Sequence, residues 1–295
     1  MQKITPFLWF NNNAEEAVTF YTALFNNSGL RNVQRYGDAG PGPAGSFMTG
    51  TMQLEGQDFL VLNGGPMFQF SPAISFSVNC QTEAQVEKLF HGLAEGGVVM
   101  MELAKYDFSE RYGRVQDKFG ISRQISIATD KTAQTIIPSF LFTGEQYAKA
   151  LEAITFYTSI FANSALEFSA PYTTGEGEKE WAVKYASFSL EGEQFIAMDS
   201  GYDHKFSFTS AISFFVTCMN QQEVDTLREK LSAEGQIQQC WWLKDKFGIS
   251  RQIIPKELGA MLSDPNPVKA TNVMQAMMGM KKLDIAWLQE AYEKE

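Results

Sequence analysis

The octapeptide Asp117-Lys118-Phe119-Gly120-Ile121-Ser122-Arg123-Gln124 returns unchanged as Asp245-Lys246-Phe247-Gly248-Ile249-Ser250-Arg251-Gln252. Internal repetition of this kind organises everything around it. Working outward, Phe20-Tyr21-Thr22 with Phe25 and Asn27-Ser28 matches Phe156-Tyr157-Thr158 with Phe161 and Asn163-Ser164. Leu54-Glu55-Gly56 matches Leu190-Glu191-Gly192, and Ala73-Ile74-Ser75-Phe76 with Cys80 matches Ala211-Ile212-Ser213-Phe214 with Cys218. The pairs keep the same order. The chain therefore reads as two homologous halves, 1–130 and 135–256, followed by a helical tail over 264–295.

Each half contains a second layer of order. Pro6–Phe10 reads as a strand, and Asn13 with Glu16 as a helix cap and its reciprocal partner. Ala14, Val18, Tyr21 and Phe25 follow at helical spacing. Strands are expected near 32–36, 47–54 and 59–63, the last two flanking a hairpin turn at Glu55-Gly56-Gln57-Asp58. The order then restarts with a strand over 74–79. Thr82 with Gln85 forms a capping box, Val86, Leu89, Phe90 and Leu93 form a helix face, and Gly96-Gly97 stops it. Strands near 98–104, 111–116 and 122–127 complete the set. The expected fold class is α+β: strand, helix and three strands, four times over. After Pro255, Asp264-Pro265-Asn266-Pro267 breaks the chain. A Met-rich helix over 268–280 and a final helix capped by Asp284, with Ile285, Leu288 and Tyr292 on one side, are expected beyond it.

At 295 residues, two domains are expected. The formal net charge of -10 argues against nucleic acid and anionic membrane as partners. The apolar stretch near the N-terminus is too short for a signal-peptide core, and no run reaches membrane-spanning length. Cys80, Cys218 and Cys240 form no CxxC and are odd in number, which suits buried thiols in a reducing cytoplasm.

The ITPFLWF start (Ile4–Phe10), the helix carrying Phe20-Tyr21 and the repeated box together resemble the PhnB-like branch of the vicinal oxygen chelate superfamily. That superfamily includes glyoxalase I, bleomycin-resistance proteins and extradiol dioxygenases. The branch often carries the label of a 3-demethylubiquinone 3-methyltransferase domain. The resemblance covers both halves and the tail. It implies two glyoxalase-like domains, each of paired βαβββ modules that form one open, curved sheet around a cup. The chain would then be a monomer as an internal pseudo-dimer, or a homodimer.

The resemblance also implies where metal ligands would stand: near Pro6 and Pro138, near Ala73 and Ala211, and on Gln124 and Gln252. Proline and alanine bring no ligand, and an amide oxygen is weak beside a carboxylate. The two histidines do not fill the gap, since His91 sits on a helix flank and His204 in a loop of the second half. Neither a metal nor another cofactor is expected. The methyltransferase label fails on chemistry too. The one Gly-rich stretch, Gly37–Ser46, contains Pro41 and Pro43 and leads into no helix, so it is not a loop that holds an adenosyl cofactor.

Within the box, Asp117, Gly120, Asp245 and Gly248 read as turn residues. Arg123 and Arg251 stand where relatives have Trp. Strand alternation sends them and the following glutamines to opposite faces, and the family pattern places Gln124 and Gln252 inside, with the arginines outward or at an interface; arginines that faced in instead would recognise an anionic ligand. Arg114 of the first half stands where the second has Trp242. Trp242, Tyr157 and Gln252, with Trp241 and Phe214, would give the second cup its aromatic wall. Trp9, Tyr21, Gln124 and Arg114 belong to the first. The functional expectation is a cytoplasmic small-molecule-binding protein without a functional metal. The rival expectation is a lyase, isomerase or dioxygenase with an atypical or metal-free site, and a third is a structural pseudo-dimer.

Overall fold

In both copies the box folds as a tight turn running into a strand. Asp117 Oδ1 accepts from the N–H groups of Phe119 and Ile121, both at 3.0 Å. Asp245 Oδ1 does the same for Phe247 and Ile249, at 3.1 and 3.0 Å. Gly120 and Gly248 close the turns at φ of +91° and +90°, a region where a side chain is strained. The computed structural model describes residues 2–37, 42–128, 134–238, 241–280 and 282–294. It divides into a larger unit, Gln2 with Pro6–Ile212, and a smaller one, Lys3–Thr5 with Ser213–Glu295.

In the larger unit, β1 (Ile4–Phe10, its first two residues assigned to the smaller unit) leads to α1 (Ala14–Leu24), β2 (Gly29–Arg35), β3 (Phe47–Leu54) and β4 (Gln57–Asn63). The second module is β5 (Ile74–Cys80), α2 (Glu83–Ala94), β6 (Val98–Tyr106), β7 (Ser109–Gln116) and β8 (Ser122–Ile127). The third is β9 (Ile136–Phe142), α3 (Ala150–Ile160), β10 (Ala165–Pro171), β11 (Val183–Leu190) and β12 (Glu193–Asp199). The first module orders its strands β1-β4-β3-β2, with β1 parallel to β4. The second and third together form one eight-stranded sheet in the order β10-β11-β12-β9-β5-β8-β7-β6.

That sheet crosses the boundary between the sequence repeats. Its central ladder is β5 against β9, antiparallel, with Ser75 opposite Ser139 and Phe76 opposite Pro138. The expectation that the two modules of one half share a sheet gives way here, because this sheet takes one module from each half. β9 is buried along its whole length and β5 at all but one residue, as suits strands at the centre of a sheet.

Helices α2 and α3 cover one face of this sheet. Beneath them lie Phe76, Val78, Phe140, Phe188 and Phe195, all buried. Phe140 and Phe195 stack at 5.9 Å. Each such ring contributes roughly 1.5–3 kcal/mol by leaving water. Helix starts are held from a distance. Asn13 makes no side-chain cap. Instead Asn63 Oδ1, at the end of β4, accepts from Ala14 N–H at 2.8 Å. Asp199, at the end of β12, does the same for Ala150 at 3.2 Å. Thr82 caps α2 as expected, at 3.2 Å from Gln85 N–H.

The smaller unit holds β13 (Ile212–Cys218), α4 (Gln221–Ser232), β14 (Gln236–Ile237), β15 (Trp242–Lys244) and β16 (Ser250–Pro255), in the sheet order β14-β15-β16-β13. Thr217 N–H donates to Lys3 O at 3.0 Å. Helices α5 (Lys256–Leu262), α6 (Pro267–Met278) and α7 (Ile285–Glu293) follow. They bury Leu258, Met261, Val273, Met277, Leu283 and Leu288 together with Ile254. Asp284 caps α7 through Trp287 N–H at 3.0 Å, as expected, whereas α5 directly after Pro255 was not foreseen. No described helix is long and apolar enough to cross a membrane.

Candidate functional site

The register of the eight-stranded sheet fixes which side chains share its helix-free face. Gln124 pairs with Ser77 on one side and Arg114 on the other, and Ser75 pairs with Ser122 and Ser139. Tyr112 is two residues from Arg114 on β7. Paired residues and alternate residues share a face, so these polar groups gather on the side away from α2 and α3. Arg123 falls on the opposite side, as alternation required.

Gln124 is the hub. Its Nε2 donates to Ser75 Oγ at 3.0 Å and to Ser139 Oγ at 3.2 Å, and its Oε1 accepts from Tyr112 O–H at 3.0 Å. Gln124, Ser75 and Ser139 are all buried. Beside the hub, Arg114 Nη2 donates to Pro72 O at 3.2 Å, while its Nε is buried without a hydrogen-bond partner. Burial pulls the guanidinium pKa down and pushes the Tyr112 phenol up, with the Arg114 charge opposing the latter. Tyr112 is thus held as a neutral donor. Behind Arg114, Gly113 leaves room for Phe90 of α2, whose ring carbon would lie 2.5 Å from an added Cβ.

The other wing of the face is apolar. Ile196 pairs with Ser139 and Met198 with Leu141. Ser187 and Phe168 continue the same face on β11 and β10, with Phe168 about half exposed. Two loops meet beside the ends of β9 and β12 and the start of β5. Ser71 Oγ donates to Ser207 O at 2.7 Å, Thr209 Oγ1 to Gln69 O at 2.8 Å and Thr143 Oγ1 to Phe206 O at 2.8 Å. This strapped segment carries His204, whose Nε2 lies 2.8 Å from Ser200 Oγ and whose ring is 4.9 Å from Phe206. Burial lowers the His204 pKa first, and the positive charge of Arg114 lowers it further; Glu178 and Asp203 act the other way. A separate surface hollow of about 370 Å³ lies by Tyr147, Glu178 and Tyr202, with Lys179 Nζ already over the Tyr147 ring at 4.9 Å.

Among the residues singled out from sequence, Gln124 and Arg114 come together here. Tyr21 does not join them. It is fully buried on α1, and its hydroxyl donates to Asp117 Oδ2 at 2.7 Å. Its pKa is raised well above the ordinary phenol value, first by burial and then by the Asp117 charge. Tyr157 is likewise fully buried, on the inward stripe of α3 with Ala150, Ala153 and Ile154. The expectation that these two tyrosines line cups gives way to a packing role, because the helix stripe that carries them is the one that faces the hydrophobic core. Trp9 lies on the face of β1 away from α1, with its indole N–H donating to Gly65 O at 2.9 Å and its ring edge-on to Phe68 at 5.1 Å. In the smaller unit, Trp242 stands opposite Gln252 in the β15–β16 ladder, and Gln252 Nε2 donates to Ser213 Oγ at 3.0 Å. This repeats the Gln124–Ser75 bond.

Ser75, Ser139 and Tyr112 are not singled out by the sequence, and His204 enters there only as a loop residue that supplies no metal ligand. The signal for the first was present in Ile74-Ser75-Phe76-Ser77, a polar stripe at strand period inside an apolar strand. The donors on this face do not suit a divalent metal. They are neutral hydroxyls and one amide whose nitrogen, not oxygen, meets the two serines. Pro138, near which the resemblance set a ligand, pairs with Phe76 and so belongs to the helix-covered face. Among the described residues, no three His, Cys, Asp or Glu side chains cluster as a metal site.

No curated protein matches the chain. Among solved structures, a PhnB protein from Bacillus cereus is 42% identical over 43% of this chain and 100% of its own length, with a TM-score of 0.42. A protein from Pseudomonas aeruginosa is 27% identical over 44% and 100%, with a TM-score of 0.38. Glyoxalase I from Zea mays is 11% identical over 84% and 92%, with a TM-score of 0.56, a likeness of fold alone. The sequence family described as 3-demethylubiquinone-9 3-methyltransferase matches twice, over residues 2–126 and 134–254. The chain belongs to that PhnB-like family of the vicinal oxygen chelate fold, in tandem.

Proposed function

We propose that the protein binds a small organic molecule on the helix-free face of the β5–β12 sheet and does so without a metal ion. The observation that carries this reading is the Gln124 hub: three buried polar side chains, Gln124, Ser75 and Ser139, fixed in one hydrogen-bonded array beside an incompletely satisfied Arg114. Buried polar groups cost stability unless paired, and an apolar core would serve folding better. An array kept at the base of a face with a polar and an apolar wing suits recognition of an amphipathic ligand. Recognition, rather than turnover, fits the groups present: Tyr112 is held protonated and no carboxylate belongs to the array. An enzyme of the same fold remains the rival reading, and the Trp242–Gln252 pair a second candidate surface, supported by its repetition of the Gln–Ser bond.

The test is a thermal-shift screen of small molecules against the wild type, Met198→Asp and Trp242→Ala. Ligands held by the folded state raise its stability by mass action. Hits weakened by Met198→Asp support the proposed face. Hits weakened only by Trp242→Ala move the site to the smaller unit, and turnover of a hit would favour the enzyme reading.

A further inference from the structure

We propose that the ligand of this face is a monoanionic organic acid whose carboxylate sits against Arg114 and His204 while its apolar body lies along Leu141, Ile196, Met198 and Phe168. The inference rests on the reading above and adds the ligand's chemistry.

Arg114 supplies the first argument. Its Nε has no partner, and Nη2 spends one bond on Pro72 O. Nη2 carries two hydrogens. Nη1 and the second Nη2 hydrogen are the donors left for a carboxylate arriving at this face, which can accept through both of its oxygens. No carboxylate of the protein lies within ion-pairing distance of this guanidinium among the described residues. Two more deeply buried arginines do have such a partner. Arg123 has Asp117 at 3.9 Å and Arg251 has Asp245 at 3.2 Å. A half-buried cation without a counter-ion is partly desolvated, and an arriving anion offsets part of that cost.

The second argument is the valence. The electrostatic surroundings of His204 include Arg114, Glu178 and Asp203. Asp203 is already paired with Lys205, so an anion at Arg114 meets Glu178 as the further carboxylate and is better tolerated with one negative charge than with two. The third argument is direction. The polar groups Arg114, Gln124 and Tyr112 occupy the β7–β8 wing, whereas Ile196, Met198 and Phe168 occupy the β10–β12 wing. A molecule with a charged head and a chain or ring of several carbons bridges the two.

The probes are octanoate, octyl phosphate and the uncharged octanamide, each titrated calorimetrically into the full chain and into Arg114→Gln, His204→Phe and Met198→Asp. Octanoate is expected to bind the wild type at least about tenfold more tightly than octanamide, which corresponds to about 1.4 kcal/mol. It should also bind more tightly than octyl phosphate. Arg114→Gln should remove the preference for the acid, and His204→Phe should reduce it, with circular dichroism checking that both variants fold. If octanamide binds as tightly as octanoate and Met198→Asp abolishes both, the face is a binding site but the oxyanion assignment is wrong. Tighter binding of octyl phosphate overturns the monoanion. If no probe binds the wild type, or binding ignores all three substitutions, the inference fails together with the site.

Discussion

Asp117 concentrates the logic of the repeated box in one side chain. Its Oδ1 organises the turn through two backbone N–H groups, and its Oδ2 takes the Tyr21 hydroxyl while Arg123 stands 3.9 Å away. The Arg123 guanidinium also lies over the Tyr21 ring, 4.8 Å from its centroid. Burial pushes the Asp117 carboxyl up, and Arg123, Tyr21 and the backbone N–H groups pull it back. Asp117→Ala leaves a buried arginine uncompensated and should cost about 3–5 kcal/mol in urea unfolding. Tyr21→Phe removes only one hydrogen bond to that carboxylate and should cost about 1.5–3 kcal/mol. If Asp117→Ala cost no more than Tyr21→Phe, the ion pair would not be the main element of this cluster. The turn role of Asp117 and Gly120 was legible in sequence, because such turns are local. The opposite orientation of Arg123 and Gln124 was legible from strand alternation. The role of Tyr21 was not, since its partner lies 96 residues away.

The elements show the same division between local and distant causes. Strand spans and the Thr82 and Asp284 caps followed from short-range pattern. The cap of α1 did not, because Asn63 reaches back 49 residues to Ala14 N–H. Asn63 Nδ2 also donates to Phe47 O at 3.0 Å, so the side chain links α1, β3 and β4. Asn63→Ala should cost about 1–2 kcal/mol, more than Asn13→Ala, which loses no side-chain cap. Equal costs in thermal unfolding would assign the cap to Asn13 after all. The tail helices depend on burial rather than capping. Leu288 of α7 is 1% exposed in a cluster with Leu283, Met277 and Leu258. Leu288→Ala should destabilise this unit by about 2–5 kcal/mol, read as an earlier transition in a denaturant titration. The last module was the least legible. Its β14 and β15 have two and three residues, too short to leave a periodic signal.

Across the whole molecule, sequence repeats and sheets divide the chain differently. The repeats run 1–130 and 135–256 in sequence, but the ladder of Ser75 with Ser139 ties one half to the other inside a single sheet. Strand pairing over such distances has no local signature, which is why the motif order was readable and the pairing was not. A fragment of residues 1–130 loses every partner that β9 offers β5 and exposes β5 as an apolar edge. It is expected to self-associate or unfold rather than persist as a folded monomer, as sedimentation would show. The polar wing adds a dependence on pH. His204 titrates below its ordinary value of 6.5 because of burial and the charge of Arg114, with Glu178 and Asp203 in opposition. A histidine with a depressed folded-state pKa contributes stability above its unfolded value. That contribution is lost as pH falls from about 6.5 toward the lower folded value. A carboxylate bound between His204 and Arg114 cancels part of the repulsion and favours the protonated ring, so binding takes up a proton. Octanoate, ionised throughout this range, should therefore bind more tightly as pH falls from 8 to 6. The gain should vanish in His204→Phe and persist in a variant such as His91→Gln, whose exposed histidine lies on α2. An affinity that stays flat with pH in the wild type, or falls, would remove His204 from the site while leaving Arg114 to be judged by its own substitution.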